Sequence, residues 1–364
     1  MIILSNIETH VPTEFYQRTF DWAKAYFKDI DDYYKVIYPK ESITFSAPKG
    51  LDPIRWPVTT PYQEAFVCII PEGRIFSSHG YVATPDNKRM RDIEFTIPLP
   101  YSELPVPDET EETVAHLLWG GNDVTQNNYH HFLLDILPRY HLLQRSNIHI
   151  DKYVFGKMSK PFHKEWLNML GIPKSKVIEI DPSSKFPFHL KAKKVIVPSV
   201  PRLMGGIPKW AVQYIKDTAT QKVTLKPDST YKRIYISRED AGARYIVNES
   251  ELKQLLVNKG FKTITLSSLS VKEQVEIFSS ADVVLAPVGA GNTNLIFSKP
   301  GAKHFELSPR TMNSNVFWKI CNHLNLEYFQ IVCPIEEPPK VIGGIDNLIV
   351  DIDKLNSLLQ MEGI

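Results

Sequence analysis

From residue 113 onward, short apolar runs alternate with longer stretches in which apolar residues recur every third or fourth position. The short runs predict buried strands, and the longer periodic stretches predict helices. Strands that alternate with helices favour a parallel sheet covered on both faces. In the first half, strands are predicted at 114–120, 152–156, 176–181 and 193–199, with helices at 126–143 and 160–171.

The alternation starts again beyond residues 198–210, a segment rich in proline and glycine that we take as the domain boundary. Two later helices are predicted to begin with capping boxes, Asn248 with Glu251 and Ser270 with Glu273. We expect a doubly wound domain here. Its strands are predicted at 233–237, 262–266, 282–286, 303–307 and 328–332.

The N-terminal part has a different pattern of apolar and turn-forming residues. Between residues 66 and 90, β-prone runs are separated by Pro71-Glu72-Gly73 and Pro85-Asp86-Asn87, which predicts a small β meander with two turns. The proline-rich residues 97–112 predict a linker without regular structure. The expected division is a β-rich, irregular extension at 1–112 followed by Rossmann-like domains at 113–205 and 206–364.

Composition and charge narrow the class of protein. The 364 residues are 43% hydrophobic and 23% charged, which is typical of a soluble globular protein. A net charge of +1 gives no overall electrostatic case for nucleic acid. The three scattered cysteines form neither a disulfide framework nor a zinc pattern. Without a signal sequence or a long apolar run, we expect a cytoplasmic protein whose membrane contact is peripheral.

Polar residues of the second half gather where the predicted strands end. In an open parallel sheet, ligands bind beyond the carboxyl ends of the strands. Glycine turns expose backbone N–H groups to phosphate, arginines bind phosphate in a bidentate manner, and carboxylates accept from ribose hydroxyls. A nucleoside diphosphate site is therefore predicted from Arg238, Arg244, Gly289, Ala290, Gly291 and Glu306.

Each of these features alone has a plainer structural explanation. A glycine pair often forms a simple turn, and the arginines can form weak surface ion pairs with Glu239 and Asp240. Glu306 can be a solvated strand end, and Asn248 a helix cap. The agreement of three separate elements at one edge of the sheet favours the ligand site.

The helix predicted at 126–143 is apolar around most of its circumference but carries a narrow polar stripe. His131 and Asp135 are i,i+4 neighbours, and Asn128 lies one turn earlier on the same side. Pro138 is expected to kink or end the helix, which takes Arg139 off the stripe. A buried carboxylate beside an imidazole can form a general base. The alternative is a structural His–Asp pair that ties the helix to a loop.

These segments together resemble glycosyltransferase family 61. NYHHFLLDILPR is similar to the N-x-x-H-x-x-x-D helix of that family, and YISREDAGARYIVNESEL to its S-R-x-x-x-x-x-R-x-x-x-N-E stretch. The run from LSVKEQ to HFEL resembles its glycine loop and the strand that follows. Matched by position, the family residues are Asn128, His131 and Asp135 in the helix, and Arg238, Arg244, Asn248, Glu249, Gly289, Ala290, Gly291, Asn294 and Glu306 in the second half.

The resemblance implies a GT-B fold with two Rossmann-like domains facing across a cleft. It implies inverting transfer without an essential metal or cofactor, from a nucleotide sugar expected to be UDP-linked, to a glycan or lipid-linked glycan. A role in surface polysaccharide biosynthesis is expected. Many members carry histidine where this chain has Val288. Any contact made by that histidine would pass to Asn292, Thr293 or an arginine.

Three functional hypotheses follow. The leading one is an inverting glycosyltransferase in which Asp135 is the first choice for the base, with His131 as its partner or as the base itself. The second is a non-catalytic subunit that binds nucleotide sugars, favoured slightly by Val288. The third, a dinucleotide oxidoreductase, lacks the G-x-G-x-x-G turn.

Overall fold

The computed structural model describes residues 7–94, 98–118, 123–202, 206–226, 228–312, 314–340 and 344–364. The chain divides into two compact units. Unit 1 comprises Met1–Glu41 and Tyr62–Leu203, and unit 2 comprises Ser42–Pro61 and Met204–Ile364. Helices combined with several sheets confirm the predicted α/β class. The predicted boundary at residue 205 lies outside the described residues.

The strands are β1 Phe15–Tyr16, β2 Tyr34–Tyr38, β3 Glu41–Thr44, β4 Lys49–Leu51, β5 Thr59–Tyr62, β6 Ala65–Phe76, β7 Tyr81–Ala83, β8 Arg89–Met90, β9 Asp108–His116, β10 Lys152–Gly156, β11 Val177–Ile180, β12 His189–Pro198, β13 Arg233–Ile236, β14 Lys262–Ile264, β15 Val283–Pro287, β16 Lys303–Pro309 and β17 Glu327–Cys333.

The α-helices are α1 Thr19–Tyr26, α2 Asp123–Gln126, α3 Tyr129–His131, α4 Leu137–Ser146, α5 Pro161–Leu170, α6 Lys209–Lys222, α7 Glu249–Asn258, α8 Val271–Ser280, α9 Val316–His323 and α10 Ile352–Met361. A π-helical segment, Phe132–Ile136, joins α3 to α4, and a 3-10 helix, Ala290–Phe297, follows β15.

The sheet of unit 1 is mixed, and the strands predicted in residues 113–205 form its parallel part, as predicted. Its order is β1-β8-β7-β6-β12-β9-β10-β11, with β2 also paired to β6. The strands β12, β9, β10 and β11 are mutually parallel, but β6 runs antiparallel to β12. Strands from the first 112 residues thus continue this sheet, while β4 joins the sheet of unit 2.

The prediction that residues 97–112 lack regular structure is wrong for their last part. Strand β9 already begins at Asp108 and pairs there with Leu190 of β12. The residues from Asp108 to Glu112 remain exposed or half-buried, so their polar side chains are compatible with the sheet. The predicted strand 114–120 ends at His116, and residues 119–120 lie outside the described residues.

One of the two predicted turns of the β meander is also wrong. Pro71-Glu72-Gly73 lies inside the continuous strand β6, where Glu72 takes a left-handed φ of 51° and the pairing with β12 skips it. Such an irregularity bends a strand without ending it. The turn at residues 85–87 is confirmed between β7 and β8, with Asn87 at φ 58°.

The chain order reverses beside β9, so unit 1 has a topological switch point. From β9 the chain moves outward through β10 to β11, and it then returns to β12 on the other side of β9. Ligands in open α/β sheets bind at the carboxyl ends of the strands where the order reverses in this way. The crevice expected in unit 1 therefore lies beyond the ends of β9 and β12.

Unit 2 contains a parallel sheet in the order β14-β13-β15-β16-β17-β4. Its switch point lies between β13 and β15, because β14 lies on one side of β13 and the later strands lie on the other. The apolar faces of these strands pack against α7 and α10, whose buried leucines include Leu252, Leu256 and Leu355. The predicted doubly wound arrangement is thus present.

Candidate active site

Asn128 begins the helix that carries the predicted catalytic stripe. Its Oδ1 accepts from the backbone N–H groups of His130 at 3.0 Å and His131 at 3.4 Å. This is the geometry of a helix N-cap, and it satisfies two backbone donors that otherwise lack partners. Asn128 therefore has a structural role as the cap at the start of the helix.

Pro138 neither ends the helix nor removes Arg139 from the site. A proline lacks the N–H that would donate to the fourth residue before it. Here the preceding turn widens into the π-helical segment, in which the N–H of Leu137 donates to the carbonyl of Phe132. The helix then continues as α4 to Ser146. Local π geometry of this kind recurs at functional sites.

The widened turn directs Arg139 into the protein, where it joins the two strand ends of the switch point. Its guanidinium donates to the carbonyl of Pro198, the last residue of β12, and to the carbonyl of Leu118 beyond β9. Its Nη2 also lies 3.0 Å from Nδ1 of His116. Burial lowers the pKa of Arg139 to about 9. Arg139 therefore ties the helix to the ends of both strands.

His131 and Asp135 form the predicted pair, with His131 Nδ1 2.7 Å from Asp135 Oδ2. Arg202 completes the group through two parallel bonds, from Nε to Asp135 Oδ1 at 2.7 Å and from Nη2 to Oδ2 at 2.8 Å. Burial alone would raise the pKa of the Asp135 carboxyl. The charge and hydrogen bonds of Arg202, with those of His131, overcome this and hold that pKa at about 2.

The contact with Asp135 favours a proton on His131 Nδ1, although Arg202 Nη2 also lies 3.1 Å from that atom. An acceptor-to-acceptor distance of 2.7 Å needs a proton between the atoms, and a carboxyl group of such low pKa leaves that proton on His131 Nδ1. In the neutral ring, Nε2 then carries the free lone pair. Nε2 makes no hydrogen bond within the described part of the chain, and the side chain is 32% exposed. The geometry suits His131 as a base better than Asp135.

Arg202 was not among the predicted site residues, and neither was His130, whose Nε2 lies 3.0 Å from Arg202 Nη1. The signal for Arg202 was its position, four residues beyond the end of β12. Carboxyl ends of parallel strands share one edge of a sheet, so an arginine after the predicted strand at 193–199 was a candidate for the same site as Asp135. Burial would lower the pKa of Arg202, but Asp135 raises it above its ordinary value.

In unit 2, the structure brings Arg238 and Gly289 together at the switch point. Arg238 follows β13 and Gly289 follows β15. The guanidinium packs directly on Gly289, because a Cβ at that position would overlap Nη1 of Arg238. Nε and Nη2 donate to the carbonyl of Ala243, whereas Nη1 has no hydrogen bond within the described residues. Burial, with repulsion from Arg244, lowers the pKa of Arg238 to about 10.

Arg244 is the second cation of this group, and it is half-buried. It adopts a left-handed φ of 57°, and its Nη1 donates to the carbonyl of Gly344 at 3.2 Å. Its Nε is buried without a hydrogen-bond partner, and burial lowers its pKa. Among the described residues, no carboxylate lies within ion-pair distance of Arg238 or Arg244. Two adjacent half-buried guanidiniums without a carboxylate at ion-pair distance favour an anionic ligand.

Asn248 and Glu249 have contacts within the fold. The side chain of Asn248 exchanges two 2.9 Å hydrogen bonds with the backbone of Val350, so the predicted capping box with Glu251 is absent. Glu249 Oε1 accepts from the hydroxyls of Tyr235 and Ser237, both at 2.7 Å. This carboxylate therefore fixes the end of β13 just before Arg238. The second predicted capping box, Ser270 with Glu273, is confirmed.

The residues after Gly289 form the 3-10 helix rather than the start of an α-helix. The side chain of Asn294 donates to Gln274 at 2.7 Å, and Asn292 Nδ2 lies 3.4 Å from the carbonyl of Pro287. The buried residues of this stretch include Val288, Asn292, Thr293 and Asn294. In this stretch we therefore expect a ligand to contact the backbone groups of Gly289, Ala290 and Gly291.

Glu306 lies in the interior of β16, which continues to Pro309, and it is 1% exposed. Its Oε1 accepts from the hydroxyl of Tyr328 at 3.1 Å, and its Oε2 is buried without a hydrogen bond, 3.9 Å from His304 Nε2. Its charge also acts on Arg244, whose pKa it raises against the effect of burial. The glutamate is therefore a buried group that acts on Arg244, and it is not a solvated strand end.

Two further properties concern the described residues as a whole. They contain no group of three or more histidine, cysteine, aspartate or glutamate side chains arranged to hold a metal ion. They also contain no helix that is both long and apolar enough to cross a membrane.

A known protein family matches the middle of the chain. Residues 129–304 match the family model described as Glycosyltransferase 61. The matched segment begins beside His131, includes Arg202, Arg238, Arg244 and the glycine turn, and ends just before Glu306. No curated protein matches the chain significantly. Family 61 implies glycosyl transfer between a donor and an acceptor. Residues 129–304 belong to glycosyltransferase family 61.

Proposed function

We propose that the protein is an inverting glycosyltransferase that moves a sugar from a nucleotide-diphosphate sugar to a hydroxyl of a glycan or lipid-linked glycan. The observation that carries the donor class is the half-buried pair Arg238 and Arg244, without a carboxylate within ion-pair distance among the described residues. Family membership supports the transfer reaction. The proposal includes the GT-B fold, surface polysaccharide biosynthesis, and a cytoplasmic location peripheral to the membrane.

The acceptor is activated by His131 in this proposal. Nε2 removes the proton from the acceptor hydroxyl as that oxygen attacks the anomeric carbon from the face opposite the diphosphate. Asp135 accepts the hydrogen bond from the Nδ1–H of His131 and thereby keeps the tautomer in which Nε2 is free to accept a proton. Its negative charge also stabilises the imidazolium that forms. Arg202 orients Asp135 through its two bonds.

The leaving group is stabilised by unit 2. The bond between the anomeric carbon and the diphosphate oxygen breaks as the new bond forms, so its electron pair and charge stay on the diphosphate. Arg238 and Arg244 donate to that charge, and the backbone N–H groups after Gly289 add further donors. Attack and departure on opposite faces invert the anomeric configuration.

A release assay tests the proposed reaction. The purified chain is incubated with a panel of nucleotide sugars and a mixture of glycan acceptors, with and without EDTA, and release of nucleoside diphosphate is measured. We expect release from at least one donor, unchanged by EDTA, because the arginines already supply the positive charge at the leaving group. Loss in EDTA that Mn²⁺ restores would contradict the metal-independent reaction.

The same assay separates the proposal from the non-catalytic alternative. That alternative is supported by Val288, which replaces a histidine found in many members and which is buried here. A binding subunit would show donor affinity without any release of nucleoside diphosphate. The pair of His131 with Asp135, ordered by Arg202, favours the enzyme.

The Arg238→Ala variant tests the phosphate role. We expect binding of nucleoside diphosphate to weaken by about 1.5–3 kcal/mol, the usual contribution of a hydrogen bond to a charged group. Isothermal titration measures the change. The matched control is Arg233→Ala, since Arg233 lies at the amino end of the same strand and donates to the carbonyl of Lys259. Equal affinities in the two variants would remove Arg238 from the site.

A further inference from the structure

A second histidine, His130, contacts the candidate active site but has no part in the chemistry proposed above. It precedes His131 in α3, and the two rings lie nearly perpendicular, with their centroids 5.4 Å apart. Arg202 reaches both rings. Its Nη1 lies 3.0 Å from Nε2 of His130, and its Nη2 lies 3.1 Å from Nδ1 of His131. The guanidinium therefore connects His130 with the proposed base.

The contact with Arg202 determines the protonation state of His130. A guanidinium has only donors, so Nε2 of His130 must accept from Nη1. The ring is then neutral and carries its proton on Nδ1. A second proton on Nε2 would remove the acceptor and would place two cations against each other. The group formed by His130, Arg202, His131 and Asp135 is therefore intact only while His130 is neutral.

Nδ1 of His131 lies between two neighbours that require opposite tautomers. Asp135 Oδ2, at 2.7 Å, accepts a proton carried by Nδ1, and Nε2 is then free to act as a base. Arg202 Nη2, at 3.1 Å, can only donate, so a hydrogen bond to Nδ1 would move the ring proton to Nε2. The position of the guanidinium therefore decides the tautomer of His131.

His130 holds that guanidinium against the carboxylate. Nε and Nη2 of Arg202 bind Asp135, and His130 accepts from Nη1, so all three nitrogens are held. The guanidinium is planar and its N–H directions are rigid, so a hydrogen bond at Nη1 limits its rotation away from Asp135. Without an acceptor at Nη1, the guanidinium can turn towards Nδ1 of His131.

We propose that His130 is a positioning residue that acts through Arg202: its neutral ring keeps the guanidinium on Asp135 and thereby keeps the proton of His131 on Nδ1. The proposal rests on the proposed function, in which His131 is the base. It makes two neutral histidines necessary for turnover, because one takes the proton and the other maintains the geometry.

Two variants of His130 separate the acceptor from the ring. Glutamine can place its carbonyl oxygen near the position of Nε2 and accept from Arg202, but it does not titrate. Leucine has a similar size and no acceptor. We expect His130→Leu to lower kcat about tenfold, the effect of one lost hydrogen bond to a charged group, and His130→Gln to retain most of the turnover. The KM for the donor should stay unchanged in both, because the proposed donor contacts lie in unit 2.

The acid side of the pH profile counts the protons that stop the reaction. Release of nucleoside diphosphate by the full chain gives kcat/KM from about pH 5 to 8, the range in which histidines ordinarily titrate. Two histidines that must both be neutral give a limiting slope of about two in a plot of log kcat/KM against pH. His130→Gln should reduce the slope to about one. The control His149→Gln should keep the slope of the unaltered protein, since His149 forms an exposed pair with Asp151.

Nitrogen NMR of the chain with labelled histidine gives a readout that needs no donor. The signals of His131 are identified by their absence from His131→Asn. We expect the proton on Nδ1 of His131 in the unaltered protein and in His130→Gln, and on Nε2 in His130→Leu. The same tautomer in all three chains would overturn the proposed role of His130.

The slopes separate this proposal from the proposed function. Equal slopes in the unaltered protein and in His130→Gln would also overturn the role of His130. A slope of about one in the unaltered protein that falls to zero in His130→Gln would support that role and contradict His131 as the base.

Discussion

Replacement of His131 by asparagine is expected to lower turnover by about 10²–10⁴-fold, the usual contribution of a general base. The asparagine amide can still donate to Asp135 from the position of Nδ1, but it lacks a group at the position of Nε2. Folding and donor affinity should stay close to those of the unaltered protein. Release of nucleoside diphosphate measures turnover, and titration with the donor nucleotide measures affinity.

The choice of base is decided by the same variant. If Asp135 took the proton itself, His131→Asn would keep most of the turnover. The matched control is His149→Asn, since His149 forms an exposed pair with Asp151 at 3.1 Å. Asp135→Asn should also be strongly impaired, because it removes the acceptor that keeps Nδ1 protonated. The losses of the two site variants should not add, since the residues act as one unit.

Removal of Arg202 is expected to cost about 3–5 kcal/mol in the free energy of unfolding, the typical effect of breaking a buried ion pair. Asp135 is 1% exposed, so Arg202→Ala leaves a carboxylate in the interior without its bidentate partner. Urea unfolding at neutral pH measures the loss. A loss below about 1 kcal/mol, the usual limit for exposed ion pairs, would contradict the buried character of this pair.

Two controls test whether the loss of stability comes from the ion pair between Arg202 and Asp135. Addition of Asp135→Asn to Arg202→Ala should restore part of the stability, because the unpaired charge is then absent. In the unaltered protein, the pKa of Asp135 is lowered from 3.8 to about 2, so its stabilisation is complete above pH 3.8 and disappears as the pH falls towards 2. The stability difference between the unaltered protein and Asp135→Asn should therefore shrink over that range.

Elements with a local apolar signature were predictable from the sequence. The strand at 152–156 and the helix that stops at Gly171 were predicted closely, because each is a buried apolar pattern with a clear end. Gly171 takes a left-handed φ of 70°, a conformation that glycine adopts without strain. The parallel strands of unit 2 were found for the same reason.

Elements that depend on a distant partner were not predictable. The first residues of β9 are polar, and only pairing with β12, about 80 residues later, makes them a strand. Residues 71–73 have the composition of a turn, yet their neighbours in β6 stay paired with β12. Pro138 has the sequence signature of a helix end, but the π-helical segment before it accommodates the missing donor.

The candidate site shows the same contrast. His131 and Asp135 are four residues apart on one helix, so spacing alone brought them together. Arg202 reaches Asp135 across 67 residues, and no local pattern indicates that contact. Asn248 has the composition of a helix cap, yet its side chain bonds to Val350, 102 residues later. The spacing along the helix suggested the acid–base pair. The roles of the individual residues became clear only from contacts between segments that are distant in the sequence.

The stereochemistry of the released sugar tests the central proposal most directly. With a donor identified by the release assay, proton NMR can follow the anomeric signal of the product during the first turnovers. The account predicts a product of inverted configuration from the unaltered protein, and essentially no product from a folded His131→Asn variant that still binds the donor nucleotide. A product of retained configuration, or equal turnover in the His131→Asn variant, would contradict it.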